Sequence, residues 1–272
     1  MNAIRLDGKV AFITGGANGI GEGAAMNIAR YGGDIAIADN DAENGERVAA
    51  AVRALGRKAL YIPADVMHID QIDAAVKQTA AHFGRLDILV NNAGGSRKVS
   101  FLEQSERSWR KHIDLNFISM LTATQAAASA MITAGNGGTI INIASSEALR
   151  AAPGYAVYAA CKAGMVSFTK SMALELASHG IHAHALAPDM IKTPGLSPYF
   201  DLASAEMNAA RDRYIPLARL GSTDEIGNVI VFLASGMASY LNGLTIPVDG
   251  GALASSGWTR SPTTGDWNLY HG

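Results

Sequence analysis

Tyr158 and Lys162, four residues apart in the stretch Y-A-V-Y-A-A-C-K, form the pair in this chain best suited to moving a proton. If the stretch is helical, Tyr155, Tyr158 and Lys162 share one face, because three- and four-residue steps are neighbours on a helix. A free tyrosine has a pKa of about 10, too high for a base at neutral pH. A lysine ammonium one turn away favours the phenolate and lowers that value. A phenol tuned in this way can take the hydroxyl proton as an alcohol is oxidised and return it as a carbonyl is reduced. Tyr158 lies roughly 6 Å from the lysine along the helix axis and Tyr155 roughly 10 Å. The acid/base expectation therefore falls on Tyr158, and Tyr155 is expected in the wall of the substrate pocket. A neutral hydroxyl from Ser145, in I-A-S-S (Ile143–Ser146), can hold the substrate oxygen.

Such a proton device needs a hydride carrier, and the other end of the chain offers a place for one. T-G-G-A-N-G-I-G (Thr14–Gly21) follows the strand-like run KVAFIT and precedes an amphipathic helix. Glycines there permit positive φ and close approach of backbone to a pyrophosphate. The helix N-terminus adds unpaired N–H groups and a positive dipole end. The second strand, DIAIAD, ends at Asp39, where an acid can accept hydrogen bonds from an adenosine ribose diol and repel a 2′-phosphate. Asn40 is neutral, the glycine loop has no Lys or Arg, and Asp41 is available to cap the next helix, which leaves Asp39 free for a ligand. NAD is expected over NADP.

Short aliphatic runs alternate with longer amphipathic ones along the chain. Strands are expected at Lys9–Thr14, Asp34–Asp39, Ala59–Asp65, in LDILVNNAG, in GGTIINIAS, in IHAHALAP and in LTIPVDGG. Helices are expected at Gly19–Tyr31, Ala42–Leu55, Ile69–Phe83, about Ser105–Thr133, around Tyr158, and at Thr223–Ala234. This alternation predicts an α/β fold: one doubly wound Rossmann-type domain over residues 1–272, a parallel seven-stranded sheet with helices on both faces. Pro188–Pro216, with four prolines, breaks the pattern and is expected to be a substrate lid. The Ser/Thr/Gly-rich extension 252–272 carries Trp258 and Trp267 and reads equally as a frayed or a docked tail.

Taken together, T-G-x-x-x-G-x-G, N-N-A-G (Asn91–Gly94), I-A-S-S and Tyr158-x-x-x-Lys162 resemble the short-chain dehydrogenase/reductase family from about Lys9 to Gly251. The resemblance implies that Ser145 is the catalytic serine, with Ser146 as alternative if the strand end is offset by one. It implies Tyr158 as acid/base, Lys162 as its partner that also bonds the nicotinamide ribose, and Asn116, in D-L-N-F, as support for a water-borne proton path. Cofactor contacts are implied for Gly15, Asn18, Gly19, Ile20, Gly21, Asp39, Asp65, Val66, Asn92, Ala93, Gly94, Tyr158, Lys162, Pro188, Ile191 and Thr193. The family usually has Pro-Gly after the sixth strand; here it is Pro188-Asp189, which puts the backbone angle at the pocket floor in question. A homotetramer is implied, with the Ala-rich helices around Thr122–Met131 and Tyr158–Ala177 forming one interface.

The expected activity is NAD(H)-dependent interconversion of a secondary alcohol and a ketone. Met190, Leu196, Tyr199, Phe200, Met207 and Tyr214 in the lid suggest a bulky apolar, cyclic, aromatic or steroid-like substrate. Arg97, Glu147, Tyr155, Met190 and Leu196, with Arg150, are candidate pocket residues. A 3-oxoacyl thioester reductase is the alternative within the class, and a non-catalytic dinucleotide-binding scaffold the alternative outside it. His182 and His184 lie on one side of a strand, but two ligands do not make a metal site, and none is expected. A hydrolase lacks its G-x-S-x-G elbow. Net charge of −2 gives no electrostatic case for nucleic acid or an anionic membrane. The single Cys161 suits a reducing compartment, and no apolar run of about 20 residues is apparent, so a cytoplasmic protein is expected.

Overall fold

Strands that read as unbroken apolar runs suit a sheet covered on both sides, and the chain builds one. The computed structural model describes residues 3–269; the side chains of Pro198 and Tyr199 and the last three residues of the C-terminal extension lie outside the described residues. In chain order the elements begin β1 Val10–Thr14, α1 Gly19–Arg30, β2 Asp34–Asp39, α2 Ala42–Ala54, β3 Ala59–Pro63, α3 Ile69–Phe83 and β4 Ile88–Asn91. They continue with α4 Glu106–Ile113, α5 Ser119–Ala134, β5 Gly138–Ile143, α6 Ala156–Glu175 and β6 Ile181–Pro188. The last stretch holds β7 Ile191–Lys192, α7 Ser197–Asp201, α8 Ala205–Tyr214, β8 Gly221–Ser222, α9 Thr223–Ala234 and β9 Thr245–Val248.

The main sheet has seven parallel strands in the order β3-β2-β1-β4-β5-β6-β9. Successive strand residues point to opposite faces. Ala11, Ile13, Ile35, Ile37, Ile88 and Val90 therefore pack on the side of α1, α2 and α9, while Phe12, Ala36, Leu89 and Ile140 pack on the side of α3 and α5. Strand order reverses direction between β1 and β4, so the loops leaving these two strands diverge and open a crevice at the carboxyl end of the sheet, where ligands bind in open α/β folds.

The helical run Glu106–Ala134, 29 residues, is long and apolar enough to cross a membrane by length and composition, contrary to the sequence expectation that no such run exists. Its buried Met120, Ala123, Ala127 and Met131 pack it into the fold as a core helix does. As far as Leu269, the C-terminal extension folds back on itself and touches the body of the domain. Thr259–Arg260 (β10) pairs with Trp267–Asn268 (β11), and the Arg260 guanidinium lies over the Trp267 ring and donates to the Pro216 carbonyl.

One buried titratable group sits apart from the crevice. His184 on β6 is fully buried, and its pKa is pulled down to about 4, first by burial and then by neighbouring His182. The unfolded imidazole titrates at about 6.5, so the unfolded chain binds the proton more readily. His184 thus contributes stability that is fully present above pH ~6.5 and is lost as pH falls toward 4. Urea denaturation across this window should show a loss on the order of 2 kcal/mol that is flattened in His184→Leu.

Candidate active site

The glycine loop folds as it does because Gly15 and Gly21 are packed against backbone and Gly19 turns with a left-handed φ. Gly19 opens α1 with φ 57°, and a Cβ there would meet Thr193 of the loop after β6 at 3.5 Å, so the two sides of the crevice approach each other at this point. A Cβ on Gly21 would lie 2.1 Å from the Gly15 carbonyl oxygen and 2.6 Å from Asn92 Nδ2. Asn92 props the loop by donating to the carbonyls of Thr14 and Gly15, the latter at 2.7 Å, while the Thr14 hydroxyl accepts from the N–H groups of Asn92 and Ala93. Because the Gly15 carbonyl cannot move without breaking this set, Gly21→Ala should lose about 3 kcal/mol of stability in urea denaturation.

At the end of β2, Asp41 caps α2 through Asn44 N–H as expected. Asp39 is not free, however. One of its oxygens accepts from Ala17 N–H at 3.0 Å and the other from Asp41 N–H at 3.0 Å. Each carboxylate oxygen keeps further acceptor capacity. The glycine loop itself carries no arginine, as read, but Arg47 reaches it from α2, donating to the Ala17 carbonyl and forming a two-pronged bridge to Glu22. Asn18, before α1, is exposed and makes no side-chain cap bond, whereas Ile20 packs against the core. Asp65 folds back onto Met67 N–H in the loop after β3, beside half-buried Val66.

At the chemical end, α6 brings Tyr158 and Lys162 beneath the end of β5. Lys162 is buried and donates to the Ile143 carbonyl at 2.7 Å; its Nζ stands 5.7 Å from the centre of the Tyr158 ring. Burial pulls the lysine pKa down to about 8. The Tyr158 phenol is pushed up by burial, opposed by a hydrogen bond with Ser145 and reinforced by the charge of Glu147. The expected lowering by Lys162 is therefore not found: burial of the phenol is the largest influence on it, and the charge that acts on it is that of Glu147, which raises it. Tyr155 does not extend the helical face: its φ of −124° and ψ of 21° make it the residue that caps α6.

Of the two serines, Ser145 is the one at the site. Ser146 is fully buried and donates to the Pro188 carbonyl at 3.0 Å, tying the ends of β5 and β6 together. Asn116 sits in a π-helical turn, Asp114–Ile118, between α4 and α5, a kind of bulge frequent at functional sites. Its amide donates to the carbonyls of Gly95 and His112 and accepts from Gly95 N–H. A Cβ on Gly94 would come 2.9 Å from Asn116 Oδ1 and 3.3 Å from Lys162 Nζ, so glycine is what lets the loop after β4 lie against both.

Two hydrogen-bonded networks join residues that the sequence offers only singly. Asn91 and Asn142, opposite each other on β4 and β5, form a buried chain: Asn91 donates to Asn142 and Thr124, and Asn142 donates to Thr169. This chain fixes α5 and α6, and so the helices flanking the site, to the sheet. A lone Asn inside the apolar runs ILVN and IINI was the available signal.

The second network is a polar cluster built from three segments. Arg150 donates to Glu147 at 2.8 Å, to Asp189 at 3.0 Å and to the Tyr214 hydroxyl. Tyr214, at the end of α8, donates to the same Asp189 oxygen at 2.7 Å. Burial pushes the Asp189 carboxyl up, against the hydrogen bond from Tyr214 and the charge of Arg150, and pushes Tyr214 up to about 12 together with its bond to Asp189. The left-handed φ that the Pro-Asp replacement put in question falls at Met190, at 47°, not at Asp189. Pro188 and Ile191 are buried, while Leu196, Met207 and Arg97 are exposed. The apolar lid expected over the pocket therefore turns two of its large side chains to solvent and joins the floor through a charged cluster.

Residues 15–252 match the family described as Enoyl-(Acyl carrier protein) reductase. The chain is 42% identical over 256 residues to 2-dehydro-3-deoxy-D-gluconate 5-dehydrogenase of Escherichia coli K12, covering 93% of this chain and 99% of that one. The chain belongs to the short-chain dehydrogenase/reductase family. It is also 38% identical over 244 residues to a Staphylococcus aureus 3-oxoacyl-[acyl-carrier-protein] reductase, covering 89% and 97% of the two chains. A crystal structure of a gluconate 5-dehydrogenase from Burkholderia cenocepacia, in complex with NADP and tartrate, superposes with a TM-score of 0.87 at 35% identity, covering 93% and 98%. As a short-chain dehydrogenase/reductase, the chain is an oxidoreductase, and its fold brings Ser145, Tyr158, Lys162, Asn116 and Gly94 to one end of the crevice and the glycine loop to the other.

Proposed function

We propose that this oxidoreductase interconverts a secondary alcohol and a ketone with NAD(H), with Tyr158 as the general acid/base. The observation that carries the proposal is the buried Lys162, whose Nζ donates to the Ile143 carbonyl at the end of β5 and stands 5.7 Å from the centre of the Tyr158 ring, with Ser145 beside the phenol. The crevice suits a dinucleotide: the glycine loop is held open by backbone contacts that a Cβ would fill, and Asp39 closes the ribose end. Gly15, Asn18, Gly19, Ile20 and Gly21 would hold the pyrophosphate, Asp39, Asp65 and Val66 the adenosine, and Asn92, Ala93, Gly94, Lys162, Pro188, Ile191 and Thr193 the nicotinamide half. When bound, the dinucleotide supplies or receives the hydride. The protein's part is proton transfer and orientation. Ser145 holds the substrate oxygen, Tyr158 takes or gives its proton, Lys162 braces the end of β5 beside the Tyr158 ring, and Asn116 fixes the loop at Gly95.

For the substrate we favour a hydroxylated carboxylic acid of sugar type over a bulky apolar molecule. Glu147, whose charge acts on the phenol, and Arg150 bonded to it offer hydrogen bonds rather than apolar contact, and the sugar-acid dehydrogenase relative supports the same class. A 3-oxoacyl thioester reductase is the second reading, supported by the relative of that activity. Wild-type protein mixed with NAD and a panel of sugar acids, simple secondary alcohols and 3-hydroxyacyl thioesters should raise the absorbance of reduced cofactor with the sugar acids. Turnover of the thioesters alone would replace the substrate assignment, and tight NAD binding with no turnover would favour the scaffold. The apolar groove of about 460 Å³ lined by Ile113 of α4, Val157 and Cys161 of α6, Phe117 of the π-helical turn and Phe101 ahead of α4 supports a homotetramer whose copies cover that face.

A further inference from the structure

Arg47 stands at the rim of the ribose site without a role in the mechanism above. Its guanidinium reaches across from α2, donating to Glu22 Oε1 at 2.7 Å and Oε2 at 2.9 Å, to Asn44 Oδ1 at 3.0 Å and to the Ala17 carbonyl at 3.3 Å. Asp39 accepts from the N–H of that same Ala17. One residue of the glycine loop is therefore bracketed by the ribose-site carboxylate on its N–H and by a guanidinium on its carbonyl. The arginine is half-exposed, so a ligand can reach it.

The planar fork of a guanidinium fits a phosphate as well as it fits a carboxylate. In this structure the fork is filled by Glu22. The charges on this rim are Asp39, Asp41 and Glu22 against Arg47, three carboxylates to one cation. A 2′-phosphate, bringing about two more negative charges at neutral pH, meets a net repulsive rim although an arginine is present. Resting on the dinucleotide reading above, we propose that Arg47 is a latent receptor for the 2′-phosphate of a phosphorylated dinucleotide, held out of use by Glu22, so that the Glu22–Arg47 pair acts with Asp39 to select the cofactor.

Calorimetric titration of NAD and NADP into wild type, Asp39→Asn, Asp39→Asn/Glu22→Gln and the triple variant with Arg47→Met tests this without turnover. The NAD titration reports on folding of each protein, and the ratio of NADP to NAD affinity is the readout. The ratio should rise in Asp39→Asn and rise about tenfold further when Glu22→Gln is added. It should fall back at least about tenfold with Arg47→Met, the scale of one charge-assisted hydrogen-bonded pair. An unchanged ratio on adding Arg47→Met would show that Arg47 is not the receptor, and an unchanged ratio on adding Glu22→Gln that Glu22 does not restrain it. A wild-type preference for NADP would instead sink the reading of Asp39, and the triple variant would still decide whether Arg47 receives the phosphate.

Discussion

Tyr158→Phe should lower turnover about a thousandfold, the scale of a lost general acid/base, while NAD binding persists. The phenyl ring keeps the packing of α6 and removes only the hydroxyl, which Ser145 and the charge of Glu147 influence. The stability cost should stay within about 1 kcal/mol, because one neutral hydrogen bond is removed and Ser145 is only half-buried. Steady-state kinetics beside a calorimetric NAD titration separate the two effects. Retained turnover would move the proton chemistry to another group, whereas lost NAD binding would mean that the ring hydroxyl serves the cofactor more than the substrate.

Arg150→Met has the second largest expected effect, because it removes the only cation among Glu147, Asp189 and Tyr214. Burial pulls the guanidinium down, but its bonds to Glu147 and Tyr214 overcome this and hold it above the ordinary range. Without it, two carboxylates lose their partner in a half-buried setting. Breaking a fully buried pair costs about 3–5 kcal/mol; partial exposure brings the expected loss to about 2 kcal/mol. The strain falls on the segment carrying α8, whose Tyr214 then depends on Asp189 alone. Trypsin should cut faster after Arg211 and Arg213 in the variant, and kcat/KM should fall more than tenfold if the segment lines the pocket. Unchanged cleavage at these arginines would show that the cluster does not hold the segment down.

Much of the architecture is legible in the sequence. A parallel sheet buried on both faces leaves apolar runs such as VAFIT and DIAIAD, and punctuation by Gly and Asp marks where they stop. The bounds of α3 and α9 come out as read, since both are amphipathic, α3 ends at the left-handed Gly84 and α9 begins at the capping box of Ser222 and Glu225. What stays hidden depends on long side chains meeting across the fold. Arg47 is 30 positions from the carbonyl it touches, and Tyr214 is 64 positions from Arg150; no local pattern records either meeting. The shift of Tyr158 was misjudged for a related reason. Spacing on a helix shows the lysine beside the phenol, but the burial that raises the phenol pKa is a property of the packed whole. Tyr155 was misplaced by continuing the helix one residue too far.

The central claim is that Tyr158 moves the proton under the influence of its charged neighbours. The pH dependence of kcat/KM for alcohol oxidation, compared between wild type and Glu147→Gln, tests it most directly. Oxidation needs the phenolate, so the rate rises with pH through the Tyr158 pKa. Glu147 raises that pKa, and removing its charge should move the rising limb to lower pH, while Arg150→Met, which leaves Glu147 unneutralised, should move it to higher pH. A limb that stays in place in Glu147→Gln, or moves upward, would contradict the assignment of Tyr158 as the acid/base.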